Sequence, residues 1–425
     1  MRSMRGLGVL VRGFAGMGGL AALAAVTACG SVVAGSPSGA VPGAATSAVP
    51  GAASSVAPGA APTGLAGGAP VAVASAIVHP ARAPSPARRT TTSRATASQA
   101  PVTTQGGAPL TAGNPDGHGT VPAAAQAVDT SHPDHVIGTG TAASCTSAAV
   151  VAAVAAGGVI TFSCGPDPVT ITMTGTATVP TSSHLVVLDG GGKVTLSGGG
   201  KTEILSMNPG WQQQWPQLVV QNLTFTDAYS GTQQTTGSSV YGGGAIFADG
   251  GQLKVVNSAF SGNSCFATGP DLGGGAVRAV GMYLGSPVYI TGDTFTGNSC
   301  SNGGALSGLF AQFDVINSVM TGNKAIGLGA NPAAAGTPGG GSGGAIYTDG
   351  TGYDLTVTGT VMRDNTAREG GGAIFFVVNS GGGTLQINSS TLQGNPSGEF
   401  QNAPGIFDSV NGKDTQPVEA GSSVG

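Results

Sequence analysis

The sequence predicts an all-β fold, a right-handed parallel β-helix (solenoid) with a short N-terminal capping helix, preceded by a disordered tether. Three observations predict it. First, Gly-Gly-Ala followed by a large aliphatic residue occurs five times, at Ala245-Ile246, Ala276-Val277, Ala305-Leu306, Ala345-Ile346 and Ala373-Ile374. Each alanine is followed 18 to 22 residues later by an asparagine that stands three places beyond a bulky apolar residue. These pairs are Phe260 and Asn263, Phe295 and Asn298, Met320 and Asn323, Met362 and Asn365, and Leu392 and Asn395. A repeat of this length is one supersecondary unit stacked on copies of itself. Second, the stretch from each asparagine to the next Gly-Gly-Ala alanine varies from 7 to 22 residues. Rungs that keep their strands and vary their turns suit a right-handed parallel β-helix rather than a regular left-handed hexapeptide one. Third, with 76 Gly, 26 Pro and 8% charged residues, the chain is turn-rich, and no helical period appears after residue 157.

Read in order, residues 1–28 have the form of an export signal. Arg2, Arg5 and Arg12 precede an uncharged apolar stretch from Gly13 to Ala28, too short and glycine-rich for a spanning helix. The stretch ends in Val26-Thr27-Ala28-Cys29-Gly30, which resembles the lipobox of bacterial lipoproteins. That resemblance implies cleavage before Cys29 and a diacylglyceryl group on its sulfur, hence a membrane-anchored lipoprotein on the extracellular face of a bacterial cell envelope. Residues 29–135 are rich in Ala, Pro, Ser and Thr with almost no aromatics. Such a segment buries too little apolar surface to offset its ordering entropy and is expected to be a disordered tether. It carries a small basic cluster of Arg82, Arg88, Arg89 and Arg94, read as a solvated patch or as a contact with anionic wall polymer or headgroups.

The folded unit is expected over 136–395, with 396–425 as a C-terminal cap and polar tail. Thr146 as N-cap and Gly157-Gly158 as stop bound a short helix placed to cover the open edge of the first rung. Val159–Phe162, Val169–Met173, Leu185–Leu188, Val194–Leu196 and Leu218–Val220 read as strands. Asn263, Asn298, Asn323, Asn365 and Asn395 are turn residues whose amides bond their equivalents above and below and whose short side chains tolerate left-handed backbone. Cys265 and Cys300 occupy the same register of successive repeats. Stacked strands lie about 4.8 Å apart, within the reach of a disulfide. Cys145 and Cys164 are placed to staple the start of the fold, which leaves Cys29 as the odd cysteine of five.

Two resemblances follow from these residues. The segment from Cys145 to Ser197, with a helix, a strand, a cysteine and Asp189-Gly-Gly-Gly, resembles the opening of bacterial pectate-lyase-like β-helix proteins. The Gly-Gly-Ala-aliphatic and Phe-x-x-Asn halves resemble the repeats of polymorphic outer membrane proteins, whose β-helical passengers are implicated in adhesion. Those proteins end in a translocating β-barrel, whereas this chain ends in Glu419-Ala-Gly-Ser-Ser-Val-Gly425.

Chemistry is sparse. β-Helix hydrolases need paired carboxylates, and lyases need carboxylate-held Ca²⁺ and a base. Between 136 and 425 the only arginines are Arg278, Arg363 and Arg368. Asp249 and Asp349 recur at one repeat position but stand three repeats apart, and Asp-Gly is first a turn. Gly117-His118-Gly119 falls in the tether, where a likeness to a polygalacturonase motif carries no weight. Arg363, Asp364, Arg368 and Glu369 form the densest candidate cluster, beside the insertion over 326–342. Phe247, Tyr347 and Phe375, with Arg278 and Ser307, form a column that is either core or an outward surface able to stack on sugars. With a net charge of −4, nucleic acid is not an expected partner. The reading is a monomeric, lipid-anchored binding or adhesion protein directed at cell-wall or extracellular polysaccharide or a surface partner. It is without cofactor, and the insertion-rich edge is its binding face. The alternatives are a polysaccharide lyase or glycoside hydrolase, in which case Ca²⁺ is possible, and a structural spacer.

Overall fold

The computed structural model describes residues 110–231 and 241–425. The signal, Cys29 and the arginine cluster lie outside them. The described chain is nearly all β, with long parallel sheets and one α-helix among the described residues. Successive repeats pair in parallel and in register. Phe225, Phe260, Phe295, Met320, Met362, Leu392 and Val424 are successive partners in a 17-stranded sheet. Ile246, Val277, Leu306, Ile346, Ile374 and Ile406 are successive partners in a nine-stranded sheet. Ser299–Cys300, Lys324–Ala325 and Thr366–Ala367 make a third, three-stranded sheet.

Both apolar columns face one continuous core that runs from Ile137 to Ile406. Phe225, Phe260 and Phe295 stack with centroids 4.9 and 4.7 Å apart, so identical side chains in register pack as a column. The asparagines form a second column. Nδ2 of Asn263 donates to Oδ1 of Asn298 at 3.0 Å, and the pattern repeats through Asn323, Asn365 and Asn395. Each Nδ2 also reaches a backbone carbonyl of the preceding rung, such as Phe260 O from Asn298 at 3.0 Å. The expected left-handed backbone does not fall on these asparagines. It falls on the residue before each: Gly262, Gly297, Gly322, Asp364 and Gly394. The asparagine thus supplies hydrogen bonds while its neighbour supplies the turn. The two glycines before each alanine also divide their roles. Gly274 has φ 75°, whereas a Cβ on Gly275 would collide with the Gly304 carbonyl of the next rung.

A third ladder has no counterpart in the sequence reading. Asn222, Asn257, Gly292, Asn317, Gly359, Ser389 and Gly421 are left-handed in seven successive rungs, where each strand pair kinks. The residues after six of them link as a row. Ser258 N donates to Asp293 Oδ1, Asp293 N to Ser318 Oγ, Ser318 N to Thr360 Oγ1, Thr360 N to Ser390 Oγ, and Ser390 N to Ser422 Oγ.

At the N-terminal end the helix Ser147–Ala156 is capped by Thr146, whose Oγ1 accepts from Ala149 N, and stops at Gly157 with φ 79°. It packs against the first strands, His135–Ile137, Gly158–Phe162 and Ala177–Thr178. Cys145 is joined to Cys164, and Cys265 to Cys300 across neighbouring rungs, with Cα atoms 5.7 and 4.8 Å apart.

Two boundaries differ from the sequence reading. Residues 110–134, assigned above to the tether, run across the outer face of the large sheet. Asn317 exchanges two hydrogen bonds with the Gly119 backbone at 2.7 and 2.9 Å, and Gln221 exchanges two with Val128 at 2.9 and 3.0 Å. Lys254 Nζ donates to Gln126 O at 2.7 Å, and Thr130 Oγ1 to Asp189 at 2.7 Å. Val187 and Val219, which alternate with core-facing residues on the face this segment crosses, are fully buried. The strap is held through its backbone by outward polar side chains, so its own low hydrophobicity does not keep it disordered. At the other end, residues 396–425 are not a cap and tail. Ile406–Val410, Val418–Ala420 and Ser423–Val424 pair in parallel with the preceding rung and add another.

Candidate functional site

The column Phe247, Arg278, Ser307, Tyr347, Phe375 and Phe407 runs along the nine-stranded sheet in register. Its side chains alternate with the core-facing aliphatics and so point outward, yet Arg278 and Ser307 are fully buried and Tyr347 nearly so. The column is therefore neither inner core nor an open platform for sugars. The insertion over 326–342 folds down on it. Asn331 Nδ2 donates to Asp271 Oδ1 at 3.0 Å, Tyr347 Oη at 3.1 Å and Asp349 Oδ2 at 3.2 Å. Asp349 also accepts from Tyr347 Oη at 3.1 Å and Asn379 at 2.6 Å. Arg278 donates to Ser307 Oγ and to the Asp271 carbonyl. Burial pulls the Arg278 guanidinium below its usual range, opposed in part by the nearby Asp271 and Asp349. Burial pushes Asp349 up, its hydrogen bonds from Asn379 and Tyr347 working against the shift. The hydrogen bonds of Asn331 hold the insertion over the column.

Of the four residues of the sequence cluster, two serve the same region. Arg363 and Asp364 are exposed, and Asp364 holds the left-handed turn before the buried Asn365. Arg368 Nη1 donates to Ile326 O at 3.3 Å, while Glu369 accepts from Gly329 N at 2.7 Å. Arg368 and Glu369 thus grip the base of the insertion. Asp249 and Asp349 belong to one register column, separated by the strands of two intervening repeats. Burial raises Asp249 from its ordinary value. Glu203, near Ser206 at the start of the outward column, is pushed up to about 8 by burial. Among the described residues no group of three or more His, Cys, Asp or Glu gathers as a metal would require.

The opposite corner, where the nine-stranded sheet turns into the large one, presents a different surface. The chain has two tryptophans, and both stand here, Trp211 at 47% and Trp215 at 40% exposure. Trp215 stacks on exposed His184 with centroids 5.1 Å apart and planes 4° from parallel. Trp211 lies over Gly281, where a Cβ would strike its indole, and meets Phe310 edge-on at 5.0 Å. The loop carrying both rings is braced on neighbouring rungs. Gln212 N donates to Gly281 O at 2.6 Å, Gly251 N to Gln213 O at 2.9 Å, and Gln252 N to Pro216 O at 3.0 Å. Gln212 and Phe310 both hold φ 53°, an uncommon left-handed state for such side chains, and strained backbone of this kind concentrates at functional surfaces. Sequence reasoning missed the corner because neither tryptophan belongs to the repeat. The available signal was that a protein with so few aromatics places both of its tryptophans in one polar loop, Trp211-Gln-Gln-Gln-Trp215.

The chain matches no protein-family model, no curated protein and no solved structure.

Proposed function

We propose that this chain is a right-handed parallel β-helix displayed at a bacterial cell envelope, which binds glycan through the tryptophan corner. One observation carries the binding role: both tryptophans are about half exposed on a loop braced by backbone hydrogen bonds to adjacent rungs. Large apolar rings left in water on a braced loop, amid polar side chains, form a recognition surface. Rigid bracing lowers the ordering cost of binding. The register of the repeats supports the β-helix, and the sequence around Cys29 supports lipid anchoring with the chain between as tether. The insertion-rich edge is a weaker binding face, since Asn331 and Glu369 are turned onto the protein itself. The lyase or hydrolase reading is weaker: the described carboxylates that gather, Asp271 and Asp349, both accept from Asn331 of the covering insertion, and Asp349 also accepts from Tyr347 and Asn379. Arg368 and Glu369 are engaged in holding the insertion. A glycan-array screen of the full chain and of its Trp211→Ala/Trp215→Ala variant tests the proposal. Glycan signals lost in the variant support it, and array binding that the variant retains in full contradicts it.

A further inference from the structure

The surroundings of the two rings bear on what kind of glycan fits them. The corner is built from residues 182–184, 208–217, 249–252, 281–287 and 309–312, the turns of successive rungs. These contain no lysine and no arginine. Their polar groups are mainly amides: Gln212, Gln213, Gln214, Gln217, Gln252 and Gln312. Gln213 and Gln214 are exposed between the rings, while Gln252 Nε2 is tied to the Gln214 carbonyl at 3.0 Å. The one acidic group at the corner is Asp249, whose carboxyl is partly buried. The described lysines and arginines lie outside these turns, among them Lys254, spent on the strap, Lys193 on Pro166 O, Arg368 on the insertion, and Arg278, buried beneath it; His184, stacked on Trp215, is the one basic side chain in them.

Resting on the reading of this corner as a glycan site, we infer that its ligand is an uncharged oligosaccharide, of hexose or N-acetylhexosamine units, and not a uronate polymer. A carboxylated glycan would bring negative charge beside Asp249 with no lysine or arginine to pair it, an arrangement that disfavours binding. A glutamine amide carries both donors and an acceptor, which match the mixed donor–acceptor character of sugar hydroxyls and N-acetyl groups. The rings offer flat apolar faces to the axial C–H face of a pyranose, an interaction that needs no charge. Trp211 bridges upward from its own rung to Gly281 and Phe310, while Trp215 and His184 continue the surface downward. The ridge therefore spans several rungs spaced about 4.8 Å apart, which favours a chain of sugars over a single one.

Titration calorimetry of the full chain with neutral β-linked hexose oligomers, N-acetylhexosamine oligomers and oligogalacturonate, at low and high salt, tests this. The expected result is saturable binding of a neutral oligomer, little changed by salt, weakened about tenfold by Trp211→Ala or Trp215→Ala and partly restored by tryptophan-to-phenylalanine changes. Far-ultraviolet circular dichroism and thermal unfolding of each variant verify that the fold persists. Oligogalacturonate binding that the tryptophan changes weaken would overturn the inference while leaving the corner as a glycan site. Neutral binding indifferent to both tryptophans, or no binding of any oligomer, would overturn the site itself and with it the inference.

Discussion

Asp293 is an acid in a row of hydroxyls, and replacing it with serine should stabilise the protein at neutral pH. The side chain is fully buried; Oδ1 accepts from Ser258 N at 2.7 Å, while Oδ2 has no hydrogen-bond partner. Burial drives its carboxyl well above the ordinary range, against the pull of the backbone hydrogen bond from Ser258. Its neighbours show what a hydroxyl does instead. Ser318 Oγ accepts from Asp293 N and donates to Ile316 O at 3.0 Å, leaving nothing unpaired. A buried oxygen without a partner costs about 1–3 kcal/mol. Asp293→Ser removes that cost and leaves a small void, for a net gain of about 1–2 kcal/mol. The pH dependence has a definite sign. The unfolded aspartate loses its proton near pH 4 and the folded one only at higher pH, so the unfolded state binds fewer protons across that range and wild-type stability falls as pH rises. Denaturant midpoints measured from pH 4 to 8 should show a gap between variant and wild type that widens with pH. A gap that stays constant, or a variant less stable at pH 7, would refute the assignment of Asp293 as a strained member of the ladder.

Other expectations follow from the same structure. Asn298→Ala should cost about 2–5 kcal/mol, because it strands buried partners such as Asn263 N and Phe260 O; thermal unfolding measures it. Glu203→Gln should remove a loss of stability that wild type shows between about pH 4.5 and 8, since its folded carboxyl holds a proton up to about 8. Limited proteolysis of the full chain should leave a resistant fragment that retains residues 110–134, and one trimmed to Val136 would contradict the strap. Changing Cys265 and Cys300 together to serine should lower stability by about 2–4 kcal/mol at most, because the rungs already hold the loop they close.

How far the sequence could be read depended on whether a feature repeats. The Gly-Gly-Ala and Asn columns repeat, and from them the rung register and the Cys265–Cys300 pair are legible; the helix is legible separately, from its Thr146 cap and Gly157 stop. The row Ser258, Asp293, Ser318, Thr360 and Ser390 repeats too, but as different residue types doing one job, so it does not appear as a pattern of letters. The Asn turns show how a correct column can carry a wrong local reason. The asparagine is the hydrogen-bonding residue, and Gly262 or Asp364 before it takes the left-handed backbone. The strap escapes detection because its contacts come from the far side of the chain. Asn317 and Gln221 lie far from Gly119 and Val128 in sequence, and no local propensity encodes such pairing. The last rung lacks both motifs and presents Val418 to solvent, so its polarity reads as a tail. At the site, Arg368 and Glu369 were legible as a cluster but their partners, Ile326 and Gly329, were not. The tryptophan corner occurs once, and one occurrence has no register.

The central claim is that binding resides at Trp211 and Trp215 and not on the insertion-rich edge. The most direct measurement compares two variants of the full chain for affinity to the same glycan. One is Trp211→Ala/Trp215→Ala; the other shortens the exposed insertion tip at 333–336, leaving Asn331 and the Glu369 contact in place. The account predicts that the tryptophan variant loses binding and the shortened one keeps wild-type affinity. Loss of binding on shortening the tip, with the double tryptophan variant unaffected, would contradict it.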